Sequence, residues 1–172
     1  MKIFPNVYSG VITFYGITRE PTTHNYVLVF KLEDSGLRQY FIQNYNLFTW
    51  EGRLYIIQRI CSGIRSIHNY GLIHKDLHPG NVFIDSTFAY IGDFGFCMPA
   101  NETSSKSNIY GVMPYMAPEI LRGEEYTQKS DIYSLGIIIN EVISIIPPFN
   151  KEQHDYHLAL DICHGIRREE RF

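Results

Sequence analysis

Two apolar runs with strand character open the readable pattern. Residues 11–16 (VITFYG) and 26–30 (YVLVF) are rich in β-branched and aromatic side chains, and the polar stretch 18–25 between them carries Pro21. They predict an antiparallel pair, marginal without further partners. Past Ser35 and Gly36 the spacing of apolar positions becomes helical. A short helix is predicted over 37–42, and a longer one after Thr49, whose hydroxyl can cap it while Glu51 occupies the first turn. Leu54, Ile57, Cys61, Ile64 and Ile67 recur at three- and four-residue steps, predicting a core-facing stripe that runs to Tyr70 and stops at Gly71.

Beyond it the chain alternates short signals. Strands are predicted at 82–84 and 89–91, and a polar Ser/Thr-rich loop at 101–108. A short helix over 118–122 starts on Pro118 and is followed by Gly123. An apolar helix begins at Asp131 and is closed by Pro147 and Pro148, and the charged run 167–171 reads as a solvated end. Strands first and helices after predict an α+β architecture of two unequal parts, with the boundary near residues 31–35.

Composition narrows the function classes. The chain has 172 residues, of which 45% are hydrophobic and 19% charged, enough for one core. A net charge of −3 provides no basic surplus for nucleic acid or an anionic membrane. The apolar run 132–146 is interrupted by Asn140 and Glu141 and is too short and too polar for a membrane span. Cys61, Cys97 and Cys163 are far apart and form no CxxC pair, which reads as free thiols in a reducing compartment. The N-terminus carries no secretory signal pattern. The chain therefore reads as soluble, intracellular and cytoplasmic, with neither nucleic acid nor membrane as a partner.

The chemistry concentrates in residues 72–95. Asp76 is followed five residues later by Asn81, and Asn81 twelve residues later by Asp93. His74-Lys75-Asp76-Leu77-His78-Pro79-Gly80-Asn81, then Asp93-Phe94-Gly95, then Ala117-Pro118-Glu119 form an ordered series. The series resembles the protein kinase family, whose catalytic loop, metal-binding tripeptide and A-P-E motif follow in that order. Ser130 to Gly136 is similar to the helix that supports the kinase catalytic loop.

The resemblance implies a protein-kinase-like fold: a mostly helical large lobe with only a remnant of the β-rich small lobe. Residues 1–33 would be that remnant, two strands and the hinge, and residues 34–172 the large lobe, incomplete at its C-terminus. It also implies ATP and Mg²⁺ as cofactors and a protein as substrate. Phosphoryl transfer is largely positioning and charge neutralisation. Asp76 matches the base that orients the attacking hydroxyl, and Asn81 and Asp93 match the metal ligands. His78 stands where serine/threonine kinases usually carry a phosphate-binding lysine. Phe30 resembles the residue guarding the back pocket, Lys31, Leu32 and Glu33 the hinge whose backbone meets adenine, and Phe83 the apolar residue beneath the ring. Residues between Asp93 and Glu119 resemble an activation segment, with Thr103, Ser104, Ser105, Ser107 and Tyr110 as candidate phosphoacceptors and Lys75 as the cation to receive a phosphate.

The departures from the family pattern are as specific as the matches. No G-x-G-x-x-G loop and no V-A-I-K lysine occur in these residues. Lys75 replaces the usual arginine, preserving charge but not the bidentate fork. Val112 replaces the threonine usual in serine/threonine kinases. The H-P-G-N form nonetheless resembles tyrosine-kinase-like serine/threonine kinases, so Ser/Thr acceptors are expected ahead of Tyr. The expectation is a kinase domain truncated at both ends, with exposed strands inviting a partner to cover them. The alternative is a catalytically inactive kinase fragment acting as a protein-interaction module.

Overall fold

The computed structural model describes residues 10–44, 49–86, 88–102 and 109–166. The first pair of strands is β1 (Phe14–Arg19) and β2 (Tyr26–Phe30), antiparallel with Ile17 opposite Leu28 and Arg19 opposite Tyr26. The predicted first strand is displaced three residues towards the turn. Glu20 explains the extension: its carboxylate accepts from the Thr22 and Thr23 amides at 2.8 and 2.6 Å, closing a tight turn where a long loop was expected. Val11 does not join β1. It is buried and bridges Ile91, with the Ile12 amide donating to the Ile91 carbonyl at 2.8 Å.

A second sheet carries the chain into its core. β3 (Ser35–Gly36) pairs with β5 (Val82–Asp85), which pairs with β6 (Phe88–Ile91). β4 (Leu72–Ile73) pairs with β7 (Met98–Pro99). Among the described residues the α-helices are α1 (Leu37–Asn44), α2 (Trp50–Asn69), α3 (Pro118–Leu121), α4 (Gln128–Ser144) and α5 (Tyr156–Cys163). The Thr49 hydroxyl caps α2 by accepting from the Gly52 amide at 3.2 Å, as its sequence position suggested. α4 begins three residues before Asp131, because Thr127 and Ser130 form a reciprocal capping box.

The buried face of α2 agrees with the predicted stripe at Ile64 and Ile67, and packs Ile57 and Cys61 against the core, but its centre lies elsewhere. Ile56, Ile60, Gly63, Ile64 and Ile67 face the core, whereas Leu54 is 47% exposed and Ile57 and Cys61 are half-buried. Two apolar stripes coexist on this helix, and Gly63 selects between them. A Cβ on Gly63 would lie 2.3 Å from the Gly10 carbonyl oxygen and 2.9 Å from Ile91 Cδ1, so only the bare glycine face can approach β6 so closely. α5, which the sequence pattern did not predict, is capped by Asp155 and buries Leu158 and Ile162. No described helix is long and apolar enough to cross a membrane.

Candidate active site

The segment 74–81 is held from behind by one buried carboxylate. Asp131, 2% exposed on the first turn of α4, accepts from the His74 amide at 2.8 Å and the Lys75 amide at 3.0 Å. His68 at the end of α2 approaches the same carboxylate at 2.9 Å. These bonds fix the loop where Lys75 takes a left-handed conformation (φ +72°), a strained geometry that a bulky residue keeps only when its surroundings impose it. The Lys75 ammonium lies 4.6 Å from the centre of the Tyr126 ring.

His74 joins this loop to the next motif. Its ring is fully buried, and its Nε2 meets the Gly92 carbonyl at 3.0 Å. Pairing with a carbonyl places the proton on Nε2. Burial pushes the His74 pKa below its ordinary value, although Asp131, Asp76 and Asp93 oppose that shift. The Gly92 amide in turn donates to the Asn81 carbonyl at 2.9 Å. The backbone of Asn81 therefore holds the peptide immediately before Asp93, which has a left-handed backbone of its own (φ +57°). The Asp93 carboxylate accepts from the Gly95 amide at 3.2 Å.

Asp76 and Asn81 touch directly. The Asn81 Nδ2 donates to the Asp76 carbonyl at 2.8 Å and to its carboxylate at 3.2 Å. His78 completes the group. Its Nδ1 accepts from the Gly80 amide at 3.0 Å, capping a short 3-10 turn at Pro79–Asn81, so the ring proton sits on Nε2 and faces the Asp76 carboxylate at 3.6 Å. This facing imidazole, with Asn81 beside it, holds the Asp76 carboxyl below the usual carboxylate range despite partial burial. A shallow, solvent-open pocket lies beside Asp76, lined among others by Lys75, Gly111, Tyr115, Met116, Tyr126 and Ser134.

The nucleotide-side residues lie elsewhere on the same framework. Phe83 on β5 leans over the bare face of Gly92, where a Cβ would meet its ring at 2.8 Å. Phe30 ends β2 against Phe14, with ring centres 5.3 Å apart. The Lys31 amide donates to the Thr13 carbonyl at 2.8 Å. Its ammonium bridges Glu33 at 3.2 Å and also binds Asp85, which raises the Lys31 pKa. The Glu33 side chain is 1% exposed, and its burial pushes the carboxyl upward. Leu32 is 93% exposed. Lys31 thus spends its ammonium on Glu33 and Asp85 and its amide on Thr13.

Of the candidate phosphoacceptors, Thr103, Ser104, Ser105 and Ser107 lie outside the described residues, as does the charged run 167–171. Tyr110 stacks on Phe96 with ring centres 4.8 Å apart, and its backbone exchanges hydrogen bonds with the Tyr126 hydroxyl. Sequence reasoning pointed to 130–136 as a supporting helix without singling out Asp131. It also missed the cluster of Arg38, Tyr115 and Glu141. A lone acid inside an apolar run was the available signal for Glu141.

Comparison with known proteins agrees with this geometry. The protein kinase domain model matches residues 5–170, and the chain belongs to the protein kinase family. A protein kinase and PP2C-like domain-containing protein of Arabidopsis thaliana is 33% identical over 162 residues, covering 80% of this chain and 24% of that protein. The serine/threonine-protein kinase SKM1 of Saccharomyces cerevisiae is 38% identical over 100 residues, 57% of this chain and 15% of its own length. Mitogen-activated protein kinase kinase kinase 1 of Homo sapiens is 30% identical over 158 residues, 88% of this chain and 10% of its own length. The chain therefore spans a quarter or less of these relatives. Serine/threonine kinases recur among the matches, and the family as a whole uses ATP and Mg²⁺.

Proposed function

We propose that this kinase domain transfers the γ-phosphoryl group of ATP to serine or threonine hydroxyls of a protein substrate, with Asp76 as the group that orients and accepts the acceptor proton. The observation that carries the reading is the direct contact of Asp76 with Asn81, whose backbone also fixes the peptide before Asp93. Asn81 spends its amide nitrogen on Asp76, which turns Oδ1 away and leaves it as an oxygen donor. Asp93 contributes a second oxygen donor, so the pair suits a hard divalent cation. Among the described residues no three His, Cys, Asp or Glu side chains form a metal cage, so the remaining ligands of such a cation would be phosphate and water oxygens. Bound Mg²⁺ would supply neutralisation of phosphate charge.

The other roles follow from the same residues. His78 Nε2 faces the Asp76 carboxylate at 3.6 Å and helps keep it ionised. Phe83 and the backbone of 31–33 would receive the adenine ring, with Phe30 behind it. Residues 1–33 would form the nucleotide-covering part and 34–172 the part that carries the acceptor.

The test is phosphate transfer from γ-labelled ATP by the purified chain. Asp76→Asn is expected to lower the rate about 10²–10⁴-fold, the usual worth of a positioned general base, without lowering Tm. Equal rates in variant and wild type would remove Asp76 from the mechanism. Absent turnover alongside intact protein binding would favour the interaction-module alternative.

A further inference from the structure

Tyr126 touches both sides of the slot beside Asp76. It immediately precedes Thr127, whose capping box starts α4, so the helix that carries Asp131 also mounts this ring. Tyr126 is 8% exposed and packs with Ile73, Met116, Ala117 and Ile120. On the catalytic-loop side its ring lies against the ammonium of Lys75, the residue before Asp76. On the other side its hydroxyl accepts from the Tyr110 amide at 3.0 Å and donates to the Tyr110 carbonyl. One hydroxyl thus satisfies both backbone groups of one residue, the pairing that a neighbouring strand would otherwise supply. Burial keeps this hydroxyl protonated; the Tyr110 bond opposes that shift and the Asp76 charge adds to it.

The strip held in this way reaches the acceptor position itself. Gly111 follows Tyr110 with φ +126°, a conformation that glycine alone takes readily, and a Cβ on it would lie 3.7 Å from Asp76 Oδ1. Asp76 Oδ2 accepts from Asn81 and faces His78, so Oδ1 is the oxygen turned towards Gly111 and left for an acceptor hydroxyl. We infer that Tyr126 is a positioning residue: it fixes the separation between the catalytic loop at Lys75 and Asp76 and the strip from Tyr110 to Val112. That separation is the width of the slot in which a substrate hydroxyl meets Asp76 Oδ1. A misplacement of about 1 Å at a reacting centre is enough to cost much of the rate, so the width matters beyond simple folding. This inference rests on the phosphotransfer reading, because Asp76 defines where the acceptor sits.

The experiment compares the full wild-type chain with Tyr126→Phe, which keeps the ring against Lys75 and deletes only the hydroxyl. Phosphate transfer from γ-labelled ATP to a pool of peptides, each with one serine and randomised flanks, gives apparent KM values for peptide and for ATP. The peptide KM is expected to rise about tenfold, the size of one or two lost hydrogen bonds, with the ATP KM unchanged. Lost stability alone would lower the active fraction, hence kcat, and would not move one KM. Ile56→Val, a core change on α2 outside the cluster around Tyr126, is the control: it should lower Tm and move neither KM. Hydrogen exchange at the Tyr110 amide should be at least about tenfold faster in Tyr126→Phe. An unchanged peptide KM, an equal rise in both KM values, or equal exchange at the Tyr110 amide would overturn the inference. Faster exchange in a chain that transfers no phosphate would support the fixed separation and count against the phosphotransfer reading alone, whereas transfer with an unchanged peptide KM would do the reverse.

Discussion

The β1–β2 hairpin and the catalytic-loop framework use similar amounts of apolar sequence to opposite ends. In the hairpin, Tyr26 is 81% exposed, Ile17 63% and Leu28 56%, and the strands are held chiefly by their own ladder. In the framework, Ile60, Ile64, Val82 and Ile91 are almost wholly buried, and buried polar groups sit among them: Asp131, His74 and Glu141. The difference teaches that apolar pattern locates strands and helices but not what covers them. What makes the second region rigid is a set of polar contacts inserted into its core: Asp131 and His74 order the loop that carries Asp76, and Glu141 ties α4 to Arg38 and Tyr115. A buried polar group is worth most when every partner is present and costs most when one is removed.

The largest effect is expected where that asymmetry is greatest. Asp131→Ala would leave the buried His74 and Lys75 amides without an acceptor and His68 without its carboxylate. A loss on the order of 3–5 kcal/mol is expected, from two or three orphaned donors. Urea unfolding measures it, and a loss below about 1 kcal/mol, the range of ordinary surface changes, would show that the framework is not organised around this carboxylate.

Gly63→Ala probes the packing that sets the helix face. The added methyl would overlap the Gly10 carbonyl and Ile91, so the helix must retreat from β6. Overpacking of this kind costs about 1–3 kcal/mol. The expected readout is a lower urea midpoint with an unchanged m-value, and a neutral result would mean that the opposite stripe of α2 can serve equally.

His74→Phe separates polar ordering from simple burial. The folded-state pKa of His74 lies below 6.5, so the unfolded chain takes up the proton first as pH falls. Its contribution to stability is complete above pH 6.5 and is lost progressively as pH falls towards the folded value. The phenylalanine variant lacks that slope and also the bond to the Gly92 carbonyl. It is expected to be about 1 kcal/mol less stable than wild type at pH 7.5, with the gap narrowing by pH 5. Thermal melts across that range check it, and a gap independent of pH would mean that His74 is not held neutral.

Legibility in the sequence followed the same division. The strands β2, β5 and β6, the cap of α2 and the α3 start were readable because turn and cap residues act locally. The catalytic series was readable through its fixed spacing. The core face of α2 was readable only in part: Ile64 and Ile67 were, but its centre at Ile56, Ile60 and Gly63 was not, since it depends on Gly63 meeting Gly10, a contact between distant segments. The displacement of β1 towards the turn was hidden because Glu20 closes the turn with a side chain where the pattern suggested an open loop. Asp131 and Glu141 were visible as charges in an apolar run, but their partners lie 57 and 103 residues away in sequence. No local rule reaches that far.

The smallest effect is expected in the hairpin, where a double change of Ile17→Lys and Leu28→Lys alters two facing, exposed positions. Neither side chain is buried, so unfolding stability should shift by no more than about 0.5 kcal/mol. Two lysines placed directly opposite one another repel slightly, which sets the sign as a small loss. The expected gain lies in association: charge on an exposed strand pair opposes edge-to-edge pairing between chains. Light scattering against concentration should then show less self-association than wild type at equal stability. A stability loss near that of Gly63→Ala would instead mean that the hairpin is covered in solution, and the contrast between the two regions would fail.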